Sequence, residues 1–163
     1  MQTNSVTETY ALASRFLETH KSSQARKTAG AFVVLLEGDL GSGKTTFAQG
    51  IARALGITET VNSPTFVIAK NYQIQSRQGL KTSETFPLKK LIHIDTYRFE
   101  TSAEAEVLGL EELFADSGNI ILIEWPERIK EFLPATAHTI RLKFIDETTR
   151  EIETSLVETE KNN

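Results

Sequence analysis

Cysteine is absent from the 163-residue chain. That excludes a disulfide framework, a thiolate zinc site and a cysteine nucleophile. Long hydrophobic runs are absent as well. No stretch approaches the roughly 18 apolar residues of a membrane helix, so no membrane association is expected. The opening MQTNSVTETYALASRF has no basic segment followed by an apolar block, so no secretory signal is read. With the missing cysteine, this fits a cytoplasmic protein. Excess positive charge is missing too, since the net charge is -4. A mildly acidic chain is a poor stand-alone binder of nucleic acid, because phosphate neutralisation supplies most non-specific affinity. In a nucleic-acid pathway, a partner would hold the nucleic acid. There is no internal repeat.

What remains is ordinary globular composition, 39% hydrophobic and 25% charged. It suits a single domain over residues 1–163. Three polar stretches, 20–30 (HKSSQARKTAG), 75–87 (QSRQGLKTSETFP) and the tail after about 157, read as loops or a frayed end. A helix is expected over about 6–20, with Ser5 and Glu8 as a capping box and Val6, Tyr10, Ala13 and Leu17 at helical spacing. The run Ala31–Leu36 is short and partly β-branched, hence a buried strand. A glycine-rich turn follows. Then Phe47, Ile51 and Leu55 repeat every fourth residue up to Gly56, where a helix would stop.

Further along, Thr65–Tyr72 alternates like a strand and Lys89–Asp95 reads as another. Thr101 and Glu104 form a capping box before a helix carrying Val107, Leu110 and Phe114 on one face. Asn119–Glu124 is a short buried strand, and Thr139–Phe144 with Glu151–Val157 reads as a closing hairpin. The alternation of strands and helices predicts an α/β fold: a P-loop NTPase-type sheet with flanking helices, mixed through antiparallel strands toward the C-terminus.

Gly38-Asp39-Leu40-Gly41-Ser42-Gly43-Lys44-Thr45 matches the phosphate-binding pattern G-x-x-x-x-G-K-[ST] in full. The glycines let backbone N–H groups approach phosphate oxygens with no Cβ in the way. The helix that starts here points its positive end at the phosphates. Lys44 can reach the β- and γ-phosphates, and the Thr45 hydroxyl suits the hard-oxygen shell of Mg²⁺. The pattern lies between a predicted strand and a predicted helix, as the motif requires. The expected cofactors are therefore ATP/ADP and Mg²⁺. Residues 38–45, with Thr46 directly after them, are expected to bind the nucleotide.

Hydrolysis or transfer needs more than this loop. Asp95 and Glu124 each end an apolar strand, and ligand sites in open α/β sheets lie beyond the carboxyl ends of the strands. IleIleLeuIle followed by Glu124 is a Walker B-like pattern with Glu in place of the usual Asp. Ser63-Pro64-Thr65 could present a hydroxyl near the γ-phosphate, as switch segments do, although Ser-Pro-Thr is common in plain turns. His93 reads equally as a general base or as a half-buried strand histidine. Trp125 reads as a packing residue, close enough to the expected metal to serve as a reporter.

The segments GDLGSGKTTF (38–47), NSPTF (62–66), HIDTYR (93–98), LGLEE (108–112) and IEWPER (123–128) together resemble the TsaE family, also called YjeE, of small bacterial P-loop ATPases. The resemblance spans roughly residues 5–150. It implies a weak ATPase needed for the threonylcarbamoyl modification of adenosine 37 in tRNAs that read codons beginning with A. It implies action on a complex of the threonylcarbamoyl transferase subunit and its paralogue, with tRNA reached only through those partners. By the same resemblance, Thr45, Asp95 and Glu124 match the magnesium positions, with Lys44, Asp95 and Glu124 as the catalytic set. Ser63 and Thr65 match a switch-like segment, and Thr9 a segment near the adenine. The 75–87 segment is longer and more polar than in many relatives, and residues after about 147 are weakly patterned.

Two other functional classes compete. A small P-loop metabolite kinase would want an arginine-rich lid, but the 75–87 loop offers only Arg77 and Lys81. A nucleotide-sensing interaction module would not need Lys44, Thr45 and two strand-end acids together. A GTPase is disfavoured because no N-K-x-D segment is present to read guanine.

Overall fold

The structure is a computed structural model that describes residues 1–21, 30–74 and 88–156. The 75–87 stretch, most of 20–30 and the tail from 157 therefore lie outside the described residues.

The elements run β1 (Gln2–Thr3), α1 (Val6–Lys21), β2 (Phe32–Glu37), α2 (Lys44–Ala54), β3 (Ala69–Gln73), β4 (Lys90–Asp95), a 3₁₀ helix (Ser102–Leu108), α3 (Leu110–Ala115), β5 (Asn119–Glu124), a second 3₁₀ helix (Pro126–Phe132), β6 (His138–Phe144) and β7 (Arg150–Leu156). The strands form one sheet in the order β1-β7-β6-β2-β5-β4-β3. The central four, β6, β2, β5 and β4, are parallel. The pairings β1–β7, β6–β7 and β3–β4 are antiparallel. The mixed α/β sheet is as expected, except that antiparallel strands close both edges rather than the C-terminal one alone.

Parallel strands are covered on both faces, which is why β2, β4 and β5 read as near-continuous apolar runs. Successive side chains still alternate between the faces. Val34, Leu36, Leu91, Ile120 and Leu122 pack under α1 and α2, against Phe16, Phe47 and Ile51. Val33, Leu35, Ile92, Ile94, Ile121 and Ile123 pack on the other side with Phe99, Leu110 and Ile129. The register continues past the apolar residues. Asp95 stands beside Glu124, and His93 lies two residues before Asp95, so all three belong to the α2 face.

Two expectations fail. Thr65–Ile68 is a turn and not the start of β3: the Pro64 carbonyl accepts the N–H groups of Val67 (2.8 Å) and Ile68 (2.7 Å), and Ile68 takes φ 65°. Phe66 consequently stands 84% exposed. The expected helix after Thr101 is broken at Gly109, which adopts φ 61° and separates the 3₁₀ helix from α3. Leu110 is buried but Val107 is 88% exposed, so the two do not share a packed face. The cap itself forms, with the Glu104 carboxylate accepting the Thr101 N–H at 3.1 Å. At α1 the Glu8 N–H donates to Ser5 Oγ (3.2 Å), while the Glu8 carboxylate takes the N–H of Asn4 (2.8 Å) instead of that of Ser5.

Candidate functional site

The loop 38–43 leaves the central strand β2 and delivers the chain into α2. Gly38 adopts φ 141°, and a Cβ there would meet the Leu142 carbonyl oxygen at 2.1 Å, so β6 packs directly on the loop's first residue. Gly43 takes φ 102° immediately before Lys44, a backbone state that L side chains rarely adopt. Its built Cβ would touch only the Arg150 side chain, at 3.7 Å. The need for glycine there is conformational. Asp39 and Leu40 face solvent, Leu40 at 81% exposure, so their part in binding would be through backbone groups. Ser42 is buried and its hydroxyl has no hydrogen-bond partner.

Lys44 is buried beneath this loop. Its ammonium donates to the carbonyls of Gly38 (2.6 Å) and Asp39 (2.9 Å) and lies 4.0 Å from the Trp125 ring centroid. Burial lowers its pKa from the ordinary lysine value. The charges of Glu124, Asp95, Glu127 and Asp39 oppose that shift.

Thr45, one residue on, donates from Oγ1 to Glu124 Oε1 at 3.0 Å. His93 Nε2 meets the same carboxylate oxygen at 2.9 Å. Asp95 lies alongside, with Oδ2 accepting from Ser63 Oγ (2.6 Å) and from Thr65 Oγ1, and Oδ1 accepting the Tyr97 N–H (2.9 Å). Ser63 and Thr65 also contact each other at 2.6 Å. The sequence-predicted residues Lys44, Thr45, Ser63, Thr65, Asp95 and Glu124 are thus brought to one end of the parallel strands. The Pro64 turn that misled the strand prediction is what folds both hydroxyls back onto Asp95.

The donor set suits a hard divalent cation: a threonine hydroxyl against one carboxylate, and a second carboxylate next to it. Among the described residues no three His, Cys, Asp or Glu side chains converge as a protein-only metal cage. His93 is wholly buried, with its other ring nitrogen unpartnered. It supports Glu124 and is not an exposed general base.

Thr9 stands apart from this cluster. It is buried, bonded to Thr3 Oγ1 at 2.9 Å, and lines a cleft of about 270 Å³ with Ser5, Val6, Gly43, Thr46 and Arg150. The cleft adjoins the loop on the side of α1 and the β6–β7 turn. Sequence reasoning missed Arg150, which needs the hairpin's return to reach Gly43. It also missed Thr96, whose Oγ1 lies 2.7 Å from the Trp125 carbonyl and 3.1 Å from that of Glu124. Thr96 therefore steadies the backbone where Trp125 takes φ 60° and turns its ring toward Lys44. Trp125 also packs on Tyr97, with ring centroids 5.0 Å apart. It does pack, as expected, but against the catalytic candidate Lys44. Arg77 and Lys81, the two cations considered for a lid, lie outside the described residues. No helix among those residues is long and apolar enough to cross a membrane.

Comparison with known proteins adds an independent line. The family model "Threonylcarbamoyl adenosine biosynthesis protein TsaE" matches residues 3–152. The tRNA threonylcarbamoyladenosine biosynthesis protein TsaE of Bacillus subtilis is 45% identical over 120 residues, 74% of this chain. The match spans 66% of that relative's length, just under two thirds. The protein of the same description from Rickettsia bellii is 36% identical over 90% of this chain and 88% of its own. Among solved structures, Bacillus subtilis YdiB superposes with a TM-score of 0.68 at 34% identity, covering 97% of this chain and 84% of that one.

Proposed function

We propose, from the premise that this chain belongs to the threonylcarbamoyl adenosine biosynthesis protein TsaE family, that it is a Mg²⁺-dependent ATPase serving tRNA threonylcarbamoyladenosine biosynthesis. On this reading it acts on the complex of the threonylcarbamoyl transferase subunit and its paralogue, meets tRNA only through them, and turns over ATP weakly by itself. The observation that carries the nucleotide part is the meeting of Lys44, Thr45, Asp95 and Glu124 where the glycine-rich loop leaves the central strand.

The residues have distinct tasks. The 38–45 loop supplies backbone N–H donors and the amino end of α2 for phosphate oxygens. Lys44 exchanges two neutral carbonyl acceptors, those of Gly38 and Asp39, for charged phosphate oxygens, which are the stronger partners. Thr45 and Glu124, with Asp95, would hold Mg²⁺. Bound there, the ion would offset the charge on the phosphate oxygens and fix their orientation. Asp95 fastens Ser63 and Thr65 beside the site, so the 63–68 turn is placed to respond to the γ-phosphate as a switch segment does. Glu124 and Asp95, buried acceptors near the reacting oxygens, are suited to orient water. The cleft at Thr9, Thr46 and Arg150 is the place for the base and sugar. An acidic chain whose 75–87 segment carries only Arg77 and Lys81 as cations fits an ATPase working on protein partners better than a metabolite kinase.

Calorimetry of MgATP binding to the wild type and to Lys44→Ala tests the nucleotide site. Binding by the wild type and its loss in the variant is expected. Undiminished affinity in Lys44→Ala would overturn the assignment.

A further inference from the structure

We propose that His93 is a positioning residue of this site: its Nε2–H donates to Glu124 Oε1 and holds that carboxylate against the Thr45 hydroxyl, ready for a divalent cation. This rests on the nucleotide-site reading above.

The geometry fixes the direction of the bond. His93 is 0% exposed, and no water can reach its ring. One ring nitrogen, Nε2, lies 2.9 Å from Glu124 Oε1. The other, Nδ1, is buried with no partner. A neutral imidazole carries one N–H and one bare nitrogen. A proton on Nδ1 alone would leave a buried donor unpaired and set the bare Nε2 against a carboxylate lone pair. A proton on Nε2 satisfies the donor and leaves only a buried lone pair without a partner, which costs less.

The arrangement does more than satisfy His93. Glu124 Oε1 receives two donors, from a strand residue below and from Thr45 on α2 above. A glutamate side chain has three rotatable bonds, and two donors on one oxygen remove most of that freedom. The threonine hydroxyl has a single proton, and giving it to Glu124 leaves both lone pairs of Thr45 Oγ1 free for a cation. His93 therefore fixes the carboxylate that in turn orients the hydroxyl. Hydrogen-bonded partners of ligating groups elsewhere contribute about 10–100-fold to metal affinity. His93 and Glu124 stand on the paired strands β4 and β5, so the contact is built on rigid elements rather than on a loop.

The test compares nucleotide affinity with Mg²⁺ and with EDTA, by calorimetry with ADP so that turnover plays no part. His93→Gln keeps a donor nitrogen the same number of bonds from Cα as Nε2. His93→Asn ends one bond short, at the level of Nδ1, and His93→Leu has no donor. The Mg²⁺-dependent gain in affinity is expected to shrink roughly 10–100-fold in the Asn and Leu variants and to be largely restored in Gln. Affinity in EDTA is expected to stay at the wild-type level in all three. An unchanged Mg²⁺ gain in Asn and Leu overturns the inference. An equal loss with and without Mg²⁺, or no rescue by Gln, reveals a merely structural role and also overturns it. Should the variants fail to fold, ¹⁵N NMR of the wild-type histidines decides: a proton on His93 Nε2 supports the inference and a bare Nε2 refutes it. Absence of any ADP binding by the wild type would instead bring down the nucleotide-site reading itself, and this inference with it.

Discussion

Replacing Glu124 by alanine removes the acceptor of two hydrogen bonds, from Thr45 Oγ1 at 3.0 Å and from His93 Nε2 at 2.9 Å. The two losses differ in kind. Thr45 is only half-buried, so water can replace the carboxylate. His93 is wholly enclosed, so its N–H is left without a partner. One buried donor left unpaired costs about 1–3 kcal/mol. In a domain of this size that corresponds to a fall in Tm of about 2–12 °C, at roughly 2–4 °C per kcal/mol. Glu124→Gln keeps an acceptor oxygen, so its Tm should lie much closer to wild type. Hydrolysis should behave differently. Removing a preorganised charged group from such a site typically costs about 10²–10³ in kcat, roughly 3–4 kcal/mol. Both variants lose that charge and should both be slow, while nucleotide affinity measured in EDTA, carried by the loop N–H groups and Lys44, should stay near the wild-type level. Steady-state phosphate release, binding calorimetry and a thermal melt read the three quantities separately. A folded Glu124→Ala protein that hydrolyses ATP at the wild-type rate would refute the reasoning.

Two other perturbations probe the frame of the site. Gly38→Ala should destabilise the protein by about 3 kcal/mol or more, because the new Cβ would lie 2.1 Å from the Leu142 backbone oxygen, which cannot swing aside as a side chain can; a denaturant midpoint equal to wild type contradicts the packing described. Trp125 should change its fluorescence on addition of MgATP, because Lys44 must leave its place 4.0 Å from the ring to reach the phosphates. An unresponsive signal would mean that the lysine stays where it is.

The parts of the fold written in local pattern were legible in the sequence. Strands β2, β4 and β5 announce themselves as short apolar runs because both their faces are covered, and Asn119–Glu124 was placed to the residue. The phosphate loop was legible because its constraint is local: glycines at fixed spacing between a strand and a helix. What needed tertiary information was not. Thr65–Ile68 alternates like a strand, yet the carbonyl of Pro64 captures two successive N–H groups and turns the segment out into solvent. The strand order, which brings β6 beside β2 and carries Arg150 to Gly43, leaves no trace in any window of sequence. By residue type and position alone His93 reads equally as a general base or as a half-buried strand histidine, and it is a strand histidine, wholly buried. Its true surroundings depend on the register of β4 against β5 and on the height of α2 above them. Trp125 was correctly read as packed, but its ring meets Lys44 only because its own backbone adopts a left-handed turn that Thr96 holds.

The central claim joins a nucleotide site to a tRNA modification, and one measurement addresses both: the threonylcarbamoyladenosine content of tRNA from cells depleted of this protein and rescued with wild type or Lys44→Ala. The account predicts that the modification falls on depletion, returns with the wild type and does not return with the variant. An unchanged modification level on depletion, or full rescue by Lys44→Ala, would contradict it.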